Sequence, residues 1–162
     1  MNIDKDWSLI RRIFESGIAS SKHCSIASID KDGRPHITPI GFIFLQPDRT
    51  AFYFEKYTTK LPTNFAHCKQ ICLMTVNSGL RFWITSLLRG QFSSYPGIRL
   101  YGEAGQLRDA SPEEITMLNA RIGKAKYLKG SKLIWTGLTK VRDVRLTSVE
   151  PVKYPSMMAH LK

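Results

Sequence analysis

Apolar and polar residues alternate through the first half of the chain, in short runs that turn sequences separate. Three runs rich in β-branched and aromatic residues predict strands at about 24–29, 35–45 and 50–55. The sequences KDGR and QPDR separate them, and Asp32-Gly33 favours a tight hairpin because glycine adopts the positive φ that such a turn requires. The nearly continuous apolar run QICLMTV predicts a fourth strand that is buried on both faces.

Helical spacing of apolar residues precedes these strands. Trp7, Ile10 and Phe14 fall on one face of a helix over residues 6–17. Gly17 is expected to end this helix, whose apolar stripe would pack on the strands.

The second half of the chain mixes both patterns. The run LRFWITSLLR fits either a short helix or a strand, whereas GIRLYGEAGQL alternates and predicts a fifth strand. Ile98 and Leu100 lie on one face of that strand, and Arg99 and Tyr101 lie on the other. The sequence SPEE is a capping box that opens a helix to about residue 128, and VRDVRLTSVEPVKY predicts the last strand. These elements favour a mainly β fold with a few peripheral helices.

Length and composition indicate a single folded domain without a membrane-spanning segment. A chain of 162 residues with 43% hydrophobic residues predicts a single folded domain over 1–162. Its apolar runs are too short to cross a bilayer, and MNIDKDWSLIRR lacks the order of a signal peptide. We therefore expect a cytoplasmic protein with no membrane partner.

The charge is strongly positive, with 24 Lys and Arg against 13 Asp and Glu and a net charge of +11. The basic residues are spread along the chain, and no nucleic-acid-binding motif accompanies them. A diffuse excess is typical of a solvated surface or of the attraction of small anionic ligands, so we do not expect a nucleic-acid partner.

The three cysteines are an odd number and cannot form a closed disulfide framework. His23-Cys24 and His67-Cys68, with Cys72 four residues on, lack the paired spacing of a structural zinc site. Packing is the better explanation, and we expect no metal.

The residues that point to chemistry follow the third strand. Thr58, Thr59 and Lys60 supply two hydroxyls and an ammonium just before a short helix predicted at about 61–67. Hydroxyl donors, a cation and the free N–H groups of a helix start suit a phosphate monoester. The alternative is an ordinary helix cap and a solvated face.

A second group lies in the strands before this triplet. Pro39 cannot donate to a strand ladder, so Thr38, Pro39 and Ile40 are expected at an edge or a bulge, with free backbone groups that could pair with a ligand. The alternative is an edge that is merely protected from aggregation. Tyr53 and Phe54, one strand further on, could line a ligand site or belong to the core.

The order of strand, DGRPH, strand, YF and TTKxxxN resembles the FMN-binding split barrel of the pyridoxamine 5'-phosphate oxidase-like family. This resemblance implies an antiparallel split β-barrel and a homodimer with FMN at the interface. It also implies that Thr58, Thr59 and Lys60 hold the phosphate and that the backbone of residues 38–40 holds the flavin ring. A threonine stands where the family often has arginine, so Arg99 or a basic residue of the partner subunit is expected to replace that donor.

A function follows from these expectations. Dinucleotide loops, Walker motifs, GxSxG and paired catalytic carboxylates are absent from the sequence, so any chemistry must come from a cofactor. We expect an FMN-dependent oxidoreductase that acts on a small-molecule substrate or electron donor, with no catalytic side chain identified. Trp83 and Trp135 are candidates for stacking on the flavin, or for packing. The alternatives are a non-catalytic flavin-binding or redox-sensing module, and a relative that binds a deazaflavin or haem on the same fold.

Overall fold

A computed structural model describes residues 1–161 and shows one antiparallel sheet that curls into a half-barrel. Within these residues, the order across the sheet is β2-β1-β5-β6-β7-β4-β3. The strands are β1 (Cys24–Ile29), β2 (Pro35–Ile40), β3 (Ile43–Leu45), β4 (Thr50–Phe54), β5 (Gln70–Val76), β6 (Gly97–Asp109) and β7 (Lys140–Pro151). The expected mainly β split barrel with peripheral helices is confirmed.

Helices cover the sheet and connect its strands. They are α1 (Trp7–Ser21), α2 (Lys60–Phe65), α3 (Leu80–Arg89), α4 (Pro112–Ile122), α5 (Lys129–Trp135) and α6 (Pro155–Met158), with a 3₁₀ turn at Gly123–Tyr127. The run LRFWITSLLR, which fitted two structures, is the helix α3. The predicted capping box is present, because Glu114 N donates to Ser111 Oγ and Ser111 N donates to Glu114 Oε2.

The expectation of one strand over residues 35–45 was wrong. The chain breaks at Gly41 and Phe42, and the two halves become β2 and β3 at opposite edges of the sheet. Three peptide steps of about 3.8 Å join Ile40 to Ile43, so these two edges lie within about 11 Å of each other. This short connection is what closes the curled sheet toward a barrel.

Helix α1 is longer than predicted, and Gly17 does not end it. The helix continues to Ser21 and ends where Lys22 adopts a left-handed φ of 66°. Gly17 instead lets the helix approach β5, because a Cβ there would lie 2.5 Å from the Cβ of Thr75. The glycine therefore serves close packing on the sheet.

Two further expectations need correction. The strand β5 is not buried on both faces: its burial alternates, with Ile71 and Leu73 in the core and Cys72 and Met74 half-exposed. The helix α4 ends at Ile122 instead of continuing to about residue 128, and the 3₁₀ turn and α5 follow it. The half-exposed face of β5 leaves one side of the sheet only partly covered.

Candidate functional site

A cavity of about 260 Å³ lies between the β2–β3 connection and the segment that joins β4 to α2; we call it the loop cavity. Four of the predicted site residues line it, namely Pro39, Ile40, Phe54 and Thr58. The other lining residues are Gly41, Phe42, Lys56, Tyr57, Ile134, Trp135 and Leu138. The sheet closure described above therefore brings two sequence-predicted segments to opposite walls of one cavity.

Neither hydroxyl of the triplet serves as a helix cap. Thr58 Oγ1 is buried and has no hydrogen-bond partner among residues 1–161. Thr59 occupies the cap position of α2, but its side chain makes no capping hydrogen bond. A buried hydroxyl without a partner costs free energy, and a hydrogen-bond acceptor beside Thr58 would offset that cost.

Lys60 is the first residue of α2 and is exposed. The pKa of the neighbouring Asp30 carboxyl is lowered mainly by a hydrogen bond from the Arg34 backbone amide, and to a smaller extent by the charge of Lys60. Because α2 has only six residues, its dipole adds little at this end. The positive charge at this site therefore belongs to lysine side chains more than to the helix start.

Pro39 lies on an edge strand, as its missing N–H requires. The pairing of β2 with β1 is regular, with Thr38 opposite Ile26 and Pro39 opposite Ser25, so the edge carries no bulge. Thr38 is half-buried and does not line the loop cavity.

A buried ion pair lies next to the segment that joins β4 to α2, which forms one wall of the loop cavity. Arg142 on β7 donates from Nε and Nη2 to the Glu55 carboxylate, at 2.7 and 2.9 Å, and from Nη1 to the Gly105 carbonyl at 3.1 Å. The side chains of Arg142 and Glu55 are only 10% and 5% exposed. The bond to Glu55 raises the pKa of Arg142, which keeps the guanidinium charged. Glu55 directly precedes Lys56, so this pair fixes the start of the segment that lines the cavity.

Tyr53 belongs to the same cluster and to the main core. Its ring is fully buried, and its hydroxyl donates to Glu55 Oε2 at 2.6 Å. Burial and the Glu55 carboxylate raise the pKa of this phenol, so it remains a donor at neutral pH. Tyr53 therefore does not line the loop cavity, in contrast to its neighbour Phe54.

Arg99 lies away from the loop cavity. It is on β6, on the same face as Tyr101, and its Nη1 is 3.6 Å from Glu150 Oε2. This face is the partly covered side of the sheet, where Met74 of β5 pairs with Arg99. Within one chain, Arg99 does not join the triplet.

Several cavity residues escaped the sequence analysis. The Lys56 ammonium donates to the Thr136 carbonyl, and Tyr57 Oη donates to the carbonyl of Ile134 at 3.0 Å. These bonds hold the C-terminal end of α5 and the following residue over the loop cavity. Lys56 and Tyr57 directly precede the triplet, and that proximity was the available signal. Trp135 lines the cavity, whereas Trp83 packs against aromatic residues elsewhere.

A larger cavity of about 550 Å³ lies on the far side of Phe42 and Trp135; we call it the helix cavity because α1 and α4 form its walls. The rings of Phe42 and Trp135 meet edge to face, with centroids 5.8 Å apart and planes at 82°. Both residues, and Gly41, line both cavities. One aromatic pair therefore separates the two spaces.

Neither a membrane-spanning helix nor a metal-binding cluster occurs among residues 1–161. No helix in residues 1–161 is both long and apolar enough to span a bilayer. In the same part of the chain, no three His, Cys, Asp or Glu side chains gather in a way that could hold a metal ion.

Comparison with known proteins identifies the family of the chain. Residues 11–151 match the family described as pyridoxamine 5'-phosphate oxidase. No curated protein matches the sequence.

Solved structures share the fold at low sequence identity. An FMN-binding protein from Syntrophomonas wolfei subsp. wolfei superposes with a TM-score of 0.60 at 15% identity, covering 94% of this chain and 95% of that one. An F420 reductase gives 0.55 at 13% identity, covering 85% and 95%. The haem storage protein HutZ from Vibrio cholerae gives 0.50 at 13% identity, covering 93% and 95%. Similarity at these identities establishes the fold.

Proposed function

The chain belongs to the pyridoxamine 5'-phosphate oxidase family, and we propose that it binds FMN in the loop cavity and acts as an FMN-dependent oxidoreductase on a small molecule. The observation that carries this proposal is the buried Thr58 hydroxyl, which has no partner among residues 1–161 and belongs to a residue that lines the cavity. A phosphate oxygen would accept the hydrogen bond that this hydroxyl lacks.

The residues around Thr58 fit a phosphate ester. Thr59 offers a second hydroxyl that is not used as a cap, and Lys60 offers an ammonium. Lys56 adds a second cation on the cavity wall itself. Charge-assisted hydrogen bonds from ammonium groups to phosphate are stronger than neutral ones, which suits an anionic cofactor.

The rest of the cavity suits a flat ring. Phe54, Trp135 and Leu138 present apolar surface, and the edge strand at Pro39 and Ile40 presents backbone. Bound FMN would supply a centre that accepts and donates hydride, while the protein positions it and excludes water. The apolar walls and the segment held by Lys56 and Tyr57 perform that exclusion here.

The proposal includes a homodimer that completes the site. A cavity of about 260 Å³ is smaller than the roughly 300–1,000 Å³ that ligand pockets usually have, so one chain offers only part of a flavin site. The half-exposed Cys72, Met74 and Arg99 mark the sheet face that a second copy could cover, and Arg99 could then reach a cofactor that its own chain does not present to it. Light scattering should show a dimer that carries flavin, whereas a stable monomer with bound flavin would contradict this part of the proposal.

The variant Thr58→Val tests the phosphate site because it should preserve or raise the stability of the protein and lower its affinity for FMN. It removes an unpaired buried hydroxyl, so the protein without cofactor should be as stable as wild type or more stable, by up to about 1 kcal/mol. It also removes a phosphate donor, so FMN should bind about 3- to 10-fold more weakly while riboflavin is unaffected. Urea unfolding and titration with both flavins measure these effects.

Thr63→Val is the matched control, because Thr63 lies on the exposed side of α2 and its hydroxyl bonds to the Thr59 carbonyl. It should change neither flavin affinity. Equal losses of FMN and riboflavin in Thr58→Val, or no loss of either, would refute the phosphate assignment.

The related cofactors and a non-catalytic role are separated by direct measurements. The visible spectrum of the purified protein distinguishes flavin, deazaflavin and haem. Steady-state turnover with NADH or NADPH distinguishes an oxidoreductase from a module that only holds flavin. A flavin spectrum without turnover would leave the binding proposal standing and remove the enzymatic one.

A further inference from the structure

The helix cavity is separate from the site proposed for FMN, and it has the size of a ligand pocket. Its volume of about 550 Å³ lies within the usual range for small molecules. We propose that it binds a flat, mainly apolar organic molecule that carries one acidic group. Apolar side chains from five segments of the chain form its body, namely Ile18, Phe42, Ile122, Ala125 and Trp135.

Arg121 is the group that would recognise the acid. Its Nη1 donates to the Ile43 carbonyl at 2.6 Å, and its Nη2 donates to Glu15 Oε2 at 2.9 Å. The guanidinium also lies 4.0 Å from the centre of the Phe44 ring. These contacts use two of the five N–H groups of the guanidinium and hold it in one place, which leaves donors for a ligand.

The charges around the cavity favour an anion over a cation. Lys22 and Arg121 carry two positive charges against one negative charge on Glu15. The Lys22 ammonium donates to the Ala19 carbonyl at 2.6 Å, which places it beside the C-terminal end of α1 at the cavity. The net charge of +11 on the whole chain attracts the same class of ligand.

The helix cavity lies next to the cavity proposed for the cofactor, because the rings of Phe42 and Trp135 line both. Because Phe42 and Trp135 line both cavities, a molecule in the helix cavity would lie one aromatic layer from the loop cavity. That such a molecule is the reaction partner of the flavin rests on the proposed function. Binding of an apolar anion in the helix cavity does not depend on the proposed function.

A pair of dyes tests the binding site. The anionic dye 8-anilinonaphthalene-1-sulfonate has the proposed chemistry, and N-phenyl-1-naphthylamine is the same ring system without the sulfonate. Dye fluorescence is titrated with protein freed of flavin, so the result does not depend on FMN binding. The sulfonated dye should bind with a single saturable affinity.

Blocking variants locate the dye. Ala125→Phe fills the helix cavity and should abolish saturable binding, while Ala120→Phe, on the exposed side of α4, should not. Ala19→Phe blocks the cavity from the α1 side, and it replaces Ala125→Phe in the experiment if that variant does not fold. Binding that survives a folded blocking variant would overturn the proposal.

Arg121→Gln tests the acidic group. It should weaken the sulfonated dye by about tenfold and leave the neutral dye nearly unchanged. Equal effects on both dyes, or none, would overturn the assignment of an anion site.

Two further measurements exclude other locations. The exposed residues Leu87 and Leu88 on α3 could also attract a dye, so the double variant Leu87→Ser and Leu88→Ser should leave saturable binding intact. Added FMN should not displace the dye. Loss of binding in the α3 variant, or displacement by FMN, would overturn the proposal of a separate site in the helix cavity.

Discussion

The two walls of the loop cavity are built in different ways. One wall, from Phe54 to Thr58, is rich in polar side chains and is fixed from beneath by the buried pair of Glu55 and Arg142. The other wall, from Pro39 to Phe42, contains no charged side chain and consists of an edge strand and its connection to β3. A ligand would meet side chains on the first wall and mainly backbone and apolar groups on the second.

This difference predicts how the two walls respond to substitution. Beneath the first wall, Glu55 and Arg142 carry charge in buried positions, where loss of a partner is costly. Backbone groups on the second wall do not change when a side chain is replaced. Substitutions should therefore have large effects on the first wall and small effects on the second, and the following predictions test that contrast.

Arg142→Met should have the largest effect. It leaves the Glu55 carboxylate buried without its cation, and removing one partner of a buried ion pair costs about 3–5 kcal/mol. It should also weaken FMN, because Glu55 begins the segment that lines the cavity. The free energy of unfolding in urea and the FMN affinity measure the two consequences.

The double variant Glu55→Gln and Arg142→Met supplies the control. Because it removes the unpaired charge, it should recover part of the lost stability. A single Arg142→Met variant that unfolds at the wild-type urea concentration would show that the two walls do not differ in the proposed way.

Lys60→Ala should have the next largest effect, and it should affect only the binding of the phosphate group of FMN. Loss of a charge-assisted contact should weaken FMN by about one order of magnitude, while riboflavin, which lacks the phosphate, should bind as before. Lys69→Ala is a matched control, because Lys69 is also exposed but lies directly before β5. If both flavins lose affinity equally, or neither does, the triplet is a solvated helix cap and Lys60 has no role in binding phosphate.

Arg108→Met compares a more exposed ion-pair cluster with the buried one. Arg108 donates to Glu114 and Asp143, but its side chain is 40% exposed, so the loss should be about 1 kcal/mol or less. The hydrogen bond from Arg108 lowers the pKa of Glu114, so the stability it gives is present at neutral pH and is lost as pH falls through that lowered pKa. Urea unfolding at pH 7 and at pH 3 should show the difference between variant and wild type shrinking. A loss as large as that of Arg142→Met would remove the distinction between buried and exposed clusters.

Most strands of the sheet could be predicted from the sequence, but the break that lets the sheet curl toward a barrel could not. Alternation located β6, the content of β-branched and aromatic residues located β1 and β4, and Pro39 correctly indicated an edge. The break at Gly41 and Phe42 was missed because the residues on both sides are apolar and continue a strand pattern. Only the curl of the sheet requires the chain to change edges there.

The site was predictable where its residues are adjacent in sequence. Thr58 and Pro39 were found from local patterns, but the buried position of Arg142 was not, because an arginine side chain is rarely buried unless it is paired. Its partner Glu55 is 87 positions away, and no local pattern connects the two. The 3₁₀ turn and α5, which bring Trp135 to both cavities, lack a strong apolar period and were missed for the same kind of reason.

Thr38→Val should have the smallest effect, because Thr38 only borders the second wall, which is expected to act through its backbone. Thr38 pairs with Ile26 in the interior of a regular ladder, and valine keeps both its shape and its preference for strands. FMN affinity should therefore remain within about twofold of wild type, and stability should change by less than about 0.5 kcal/mol. Titration of FMN into the folded variant gives the answer. If binding is abolished while the far-ultraviolet circular dichroism is unchanged, the Thr38 hydroxyl is itself a contact, and the second wall binds through side chains as the first one does.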